Sequence, residues 1–181
     1  IEFDSEEGPV ERIYGADAEV LINDHSADYG LISVQIIDPV AGDITALYFC
    51  YMESDPVTII PEGTHEINNT WFDGTVSAST GMDWEGNVMP SYYAGYADGW
   101  LVEPFYFFQS GTVEVTKNAN GKLNFEINAL NSCNIPVHIV YDAATSGIEN
   151  TPATLESARK QIRNGQLLIM RDGKTYNALG T

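Results

Sequence analysis

The 181-residue chain predicts an all-β fold, an antiparallel β-sandwich followed by a short carboxyl-terminal helix and a terminal β-hairpin. Apolar and polar residues alternate with a period of two along several runs, as half-buried strands require. No sustained helical stripe interrupts them before Tyr141, and Gly-, Asn- and Asp-rich turns separate them, the spacing of a sandwich or barrel.

Taken in order, Glu19–Ile22 is a short strand, and Leu31–Ile37 alternates cleanly, with Ile32, Val34 and Ile36 on one face and Ser33 and Gln35 on the other. Ile44–Met52 is apolar on both faces and reads as a central strand. Val57–Ile60 and His65–Asn68 are further short strands. The stretch 69–103 holds all three tryptophans, shows no clear periodicity and reads as long functional loops or irregular edge strands. Phe105–Phe108 is a core strand. Gly111–Lys117 and Lys122–Asn128 flank Asn118-Ala-Asn-Gly121 as a β-hairpin with one wet face. Val137–Tyr141 follows a polar turn at Asn131–Asn134.

This places an acidic sandwich domain over residues 1–142, a linker over 143–153 and a basic helix-plus-hairpin tail over 154–181. Thr151 is suited to a helix N-cap and Pro152 to the first helical position. Leu155, Ala158 and Ile162 supply an apolar stripe, Arg159, Lys160 and Arg163 suit the carboxyl end of the dipole, and Gly165 ends the helix. Gln166–Met170 and Thr175–Ala178 then pair across a turn at Arg171–Lys174.

Charge narrows the partners. Residues 1–150 carry 24 acids against Arg12, Lys117 and Lys122, whereas residues 151–181 carry 5 bases against 2 acids. The total of −18 repels nucleic acid and anionic membranes, which bind through Lys and Arg. A neutral polymer, a cation or a basic protein remains. No apolar run is long enough for a transmembrane segment. The opening Ile1-Glu2-Phe3-Asp4 lacks an initiator Met and reads as a mature form trimmed from a longer precursor.

Motifs for catalysis are not recognised. There is no Gly-x-Ser-x-Gly elbow, and Gln109-Ser110-Gly111 only opens a strand. His25, His65 and His138 lie far apart without metal-ligand spacing, and His138 is expected to be a partly exposed or hydrogen-bonded strand residue. Cys50 and Cys133 carry no zinc signature. A free core thiol and a loop thiol are preferred, with a disulfide left open for an exported protein. Cofactors are not expected. Calcium is the one ion the acidic loops could hold, at Asp83–Asn87 or around Asp24 and Asp28, although neither completes a calcium-loop pattern.

The candidate site is aromatic. Trp71, Asp83, Trp84, Tyr92, Tyr93, Tyr96, Asp98 and Trp100 combine rings with acids, and Gly and Asn lie among them. Rings of this kind stack on the apolar faces of sugars while carboxylates and amides take the hydroxyls. The competing reading is that these rings cap the open ends of a sandwich.

Gly147-Ile-Glu-Asn150 and the run Arg163-Asn-Gly-Gln-Leu-Leu-Ile-Met-Arg-Asp-Gly-Lys-Thr-Tyr-Asn-Ala-Leu-Gly180 resemble a carboxyl-terminal tail found on many exported proteins of Bacteroides-type bacteria. Phe108–Lys117 through Asn134–Val137, and Ile60-Pro-Glu-Gly-Thr-His-Glu-Ile67, are similar to strands of small β-sandwich surface proteins from that group. The resemblance implies export to the cell envelope surface or beyond, a sorting or retention role for the tail, and no reaction. The expected function is a non-catalytic exported or cell-surface binding protein, with a glycan as ligand. The alternative is a structural or adhesive subunit that assembles with another surface protein through its basic tail.

Overall fold

The computed structural model of the protein describes residues 8–25, 30–51, 60–83 and 90–143, and the backbone of 159–163, 166–171 and 174–177. The chain divides into two compact units, residues 1–150 and 151–181.

The first unit contains β1 (Val10–Tyr14), β2 (Glu19–His25), β3 (Leu31–Asp38), β4 (Asp43–Cys50), β5 (Gly63–Asn68), β6 (Val76–Ser77), β7 (Tyr92–Ala97), β8 (Trp100–Lys117), β9 (Leu123–Asn131) and β10 (Pro136–Tyr141). They form one sheet in the order β1-β10-β9-β8-β5-β6-β4-β3-β2, with β7 joined to both β4 and β8. The path β4-β6-β5-β8-β7 therefore returns to β4 and closes a five-strand barrel. All-β architecture is as the alternation predicts, but the two separate layers of a sandwich are corrected to this closed ring. The reason is β7. It lies in the stretch read as irregular, yet Tyr92, Ala94 and Tyr96 share one face, and it pairs on both sides. Most pairings are antiparallel; β1–β10 and β5–β6 are parallel.

β8 makes the closure possible. Its first half pairs with β7, and its second half lies between β5 and β9. The pairing with β9 shifts register between Phe108 and Ser110. Before the shift, Tyr106 and Phe108 face the main core; after it, Val113 and Val115 do. One extra residue has exchanged the parity of the strand, so both halves bury their apolar sets. Gly111, just beyond, has φ 131°, and a Cβ there would lie 2.7 Å from Ala129 Cα and collide with the Asn128 carbonyl oxygen. The main core also takes Ile32, Val34 and Ile36 from β3, Leu47 and Phe49 from β4, and Phe125 and Ile127 from β9. A smaller cluster of Ile44, Ala46, Tyr92, Ala94 and Phe107 occupies the other face of β4, β7 and β8.

One end of the core is closed ionically. Arg12 on β1 reaches across to the β3–β4 turn, with Nη2 2.7 Å from Asp38 Oδ2 and Nε 2.6 Å from Asp43 Oδ2, the latter an ion-pair contact rather than an aligned hydrogen bond. Its guanidinium lies 4.4 Å above the Tyr14 ring, and the Tyr14 hydroxyl is 2.8 Å from Thr45 Oγ1. Burial pulls the Arg12 pKa down, but its bonds to Asp43 and Asp38 outweigh this and raise it. Burial alone would raise Asp38, yet the Ala41 amide, the Arg12 guanidinium and the Val40 amide together hold its carboxyl below the ordinary range. β1 is tied down further by His138 on β10, whose Nδ1 lies 2.7 Å from Glu11 and Nε2 3.2 Å from Glu126. These bonds, Glu11 foremost, raise its pKa. His138 is thus the hydrogen-bonded strand residue its setting between Val137 and Ile139 suggested.

The second unit contains β11 (Arg159–Arg163), β12 (Gln166–Arg171) and β13 (Lys174–Asn177), paired antiparallel in that order. The terminal hairpin is β12–β13. The expected short helix is corrected: Arg159, Lys160 and Arg163, assigned to its carboxyl end, and Ile162, assigned to its apolar stripe, form a strand, with Arg163 opposite Gln166. Short helices are marginal in water, whereas Asn164-Gly165 is a pair that favours a two-residue connection between strands. Thr151–Ala158, the start of that expected helix, lie outside the described residues.

Gly111→Ala is expected to cost about 3 kcal/mol or more, read as a lower midpoint in chemical denaturation, because both the backbone conformation and the available space exclude a Cβ. Arg12→Met should destabilise by about 3 kcal/mol at neutral pH by leaving Asp38 and Asp43 without their cation. The sign follows from the lowered Asp38 pKa: its contribution is present above the ordinary carboxylate pKa and lost as pH falls through the native one. The deficit of Arg12→Met relative to the parent should therefore shrink on acidification, as measured by thermal unfolding across the acid range.

Candidate functional site

The β8 register shift opens a groove beside itself. Gln109 and Ser110 form one wall, Ile67, Asn68 and Asn69 at the end of β5 another, and Ala78, Ser79 and Thr80 after β6 the third. The space measures about 330 Å³, within the range of small-ligand sites. Six of these eight lining residues carry amides or hydroxyls and none carries a charge. Ser79 N donates to the Phe108 carbonyl at 2.8 Å, and Gln109 Nε2 donates to the Ser79 carbonyl at 2.6 Å, so the third wall is fastened to β8. The Asn68 carboxamide oxygen accepts from Thr70 N at 3.1 Å and Thr70 Oγ1 at 2.7 Å, turning the chain out of β5.

The loop that follows carries Trp71, 45% exposed, and Phe72, 72% exposed. Met82, 50% exposed, follows the third wall. Consecutive Cα atoms are about 3.8 Å apart, so the Cα atoms of Trp71 and Met82 lie within about 8 Å of those of Asn69 and Thr80, which line the groove. Trp71 has φ 60°, a left-handed conformation that bulky residues rarely adopt and that must be held by its surroundings. The holding bonds are present. Thr75 N and Oγ1 donate to the Phe72 carbonyl at 3.0 and 2.6 Å, Gly74 N donates to the Cys50 carbonyl at 2.9 Å, and Cys50 N donates to the Thr75 carbonyl at 2.8 Å. Beneath the loop the buried His65 ring stands edge-on to Phe49 at 5.1 Å, with Nδ1 2.8 Å from the Gly74 carbonyl and Nε2 2.9 Å from the Pro61 carbonyl.

The described aromatic residues among those singled out from the sequence do not converge on one place. Trp71 sits at the Cys50 end of β4. Trp100, 76% exposed, sits at the tip of the β7–β8 hairpin, beside the other end of β4, where Tyr96 N donates to the Gly42 carbonyl at 2.7 Å. At about 3.3 Å per residue the eight residues of β4 separate them by roughly 25 Å. Asp98, with φ 53°, and Gly99 form the two-residue turn of that hairpin, so Asp98 has a backbone role. Tyr92, 6% exposed, belongs to the smaller apolar cluster, with half-buried Tyr96 packed against it. Burial, then the nearby Tyr48 and Tyr96, push the Tyr92 pKa up to about 12. Tyr93 points the other way: its hydroxyl donates to Asp43 at 3.0 Å, its ring stacks on Tyr106 at 5.8 Å, and burial with Asp43 pushes its pKa up to about 12. Asp83 is half-buried. Trp84 and the rest of the Asp83–Asn87 stretch lie outside the described residues.

Sequence reasoning missed Asn68, Asn69, Ser79, Thr80, Gln109 and Ser110. The available signal was Gln109-Ser110, two consecutive polar residues between the apolar run Phe105–Phe108 and the alternating run Gly111–Lys117, which mark a bulge. Among the described residues, no group of three or more His, Cys, Asp or Glu is placed to hold a metal ion. Cys50 is buried, Cys133 is exposed, and both are free. Burial pushes the Cys50 thiol pKa up. No family model matches this chain, and no curated protein or solved structure matches it either.

His65→Ala should cost about 2–3 kcal/mol by removing the ring from between Phe49 and the two carbonyls. It should also raise amide hydrogen exchange at Gly74 and Thr75 above that of the parent. Unchanged exchange there would show that His65 does not hold the loop.

Proposed function

We propose that this is a non-catalytic exported or cell-surface binding protein that takes a glycan in the groove at the β8 bulge. The observation that carries the reading is the uncharged amide and hydroxyl lining, with exposed Trp71, Phe72 and Met82 on the segments that form its walls. Sugars present hydroxyls that need such donors and acceptors, and C–H faces that stack on rings. The strained, well-held loop favours this use. A platform already in its binding geometry loses little entropy when ligand arrives.

Two features favour binding over catalysis. The Cys50 thiol is buried with a raised pKa, the opposite of an activated nucleophile. Both His65 nitrogens face backbone carbonyls rather than a nucleophile. Export and surface location rest on the resemblance of the tail and belong to the same proposal. No helix among the described residues is long and apolar enough to cross a membrane.

A glycan array probed with the purified chain tests the reading. Trp71→Asn keeps a residue that tolerates the left-handed conformation and removes the ring. It is expected to weaken binding about 5- to 30-fold with the melting temperature within about 2 °C of the parent. Asn69→Ala should weaken it about 2- to 10-fold. An array without reproducible binding, or full affinity in Trp71→Asn, overturns the proposal.

A further inference from the structure

We infer that the groove selects uncharged sugars and discriminates against carboxylated or sulfated ones; this rests on the glycan reading above. The lining offers donors and acceptors but no cation. The acid beside it is placed unfavourably for an anion: Glu66 Oε2 lies 3.4 Å from Asn68 Nδ2, and so directly beside the lining.

None of the three Lys and Arg residues of 1–150 is within reach. Lys117 is seven residues along β8 from Ser110, roughly 23 Å at strand rise, and Lys122 is in the turn beyond it. Arg12 is committed to Asp38 and Asp43 at the opposite end of β4 from Phe49, whose partner Val76 opens the short strand leading to Ala78. An anionic sugar entering the groove would exchange its hydration for neutral dipoles while meeting the Glu66 carboxylate beside the lining.

Such repulsion is modest in water and is reduced once the Debye length becomes shorter than the separation. It therefore has a signature that simple shape selection lacks. Discrimination should be largest at low ionic strength and shrink with added salt.

The experiment is calorimetric titration of the full chain with a neutral oligosaccharide that binds on the array, and with its uronate counterpart of the same linkage and length. Both titrations are run at about 20 mM and about 300 mM NaCl. The neutral sugar should bind equally at both salts. The uronate should bind about 5- to 10-fold more weakly at low salt, with the gap narrowing at high salt. Glu66→Gln should narrow the low-salt gap, and Thr80→Lys should close or reverse it. A uronate that binds as tightly as its neutral partner at low salt overturns this inference while leaving glycan binding intact. A salt-independent gap that Thr80→Lys leaves unchanged also overturns it, assigning the preference to shape. Binding of neither sugar overturns the glycan reading itself.

Discussion

β8 has to serve two sets of neighbours that want opposite faces of it, and the rest of the first unit is arranged around how it does so. Its first half completes a sheet with β7, β4 and β3; its second half lies between β5 and β9. A regular strand would offer the core residues of one parity throughout, leaving half its length with polar groups inside or apolar ones outside. The extra residue between Phe108 and Ser110 resolves the conflict locally, and Gly111 allows β9 to approach the bend. Closure of the barrel, burial of both Phe108 and Val113 in one core, and the groove at Gln109 all follow from that step.

A similar economy governs charge. A body with 24 acids and 3 bases cannot neutralise its carboxylates in pairs, so most must remain in water. Arg12 stands where two carboxylates are buried, at the turn joining β3 to β4. The Val40 and Ala41 amides supply the remaining bonds to Asp38, and Tyr93 supplies one to Asp43. Because β1 pairs in parallel with β10 and sits at an edge of the described sheet, this ionic contact and the Glu11–His138 bond anchor a strand with one partner among the described strands. Apolar burial of Tyr14 completes the anchor.

The groove is a product of the same bend. Its three walls come from β5, the segment after β6 and β8, which meet because β5 pairs with the second half of β8 while β6 bridges β5 to β4. The loop bearing Trp71 is fixed from two sides, by the end of β4 and by His65 on β5. The concavity they enclose is lined by amides, hydroxyls and two apolar residues, with no charged side chain in its walls.

Much of this was legible in the order of residues. Alternation in Leu31–Ile37 and Leu123–Asn131, the doubly apolar run of β4, and the Asn118–Gly121 turn set strand identity and local pairing, because side-chain period and turn chemistry are properties of adjacent residues. Asp98-Gly99 between two aromatic runs was an equally local hairpin signal, and reading 69–103 as loops passed over it. Acidity and its segregation by residue 150 were likewise fixed by composition. Barrel closure was not legible, since it depends on β7 finding partners some 50 residues before it and on a parity change that looks like noise in a hydrophobic run. Nor was the site: Trp71 and Trp100 belong to one aromatic-rich stretch yet stand at opposite ends of β4, while Asn69, Thr80 and Gln109 are scattered in sequence and share one groove. Local sequence determines what each strand is. Long-range pairing, which sums the burial of every strand at once, determines which side chains meet.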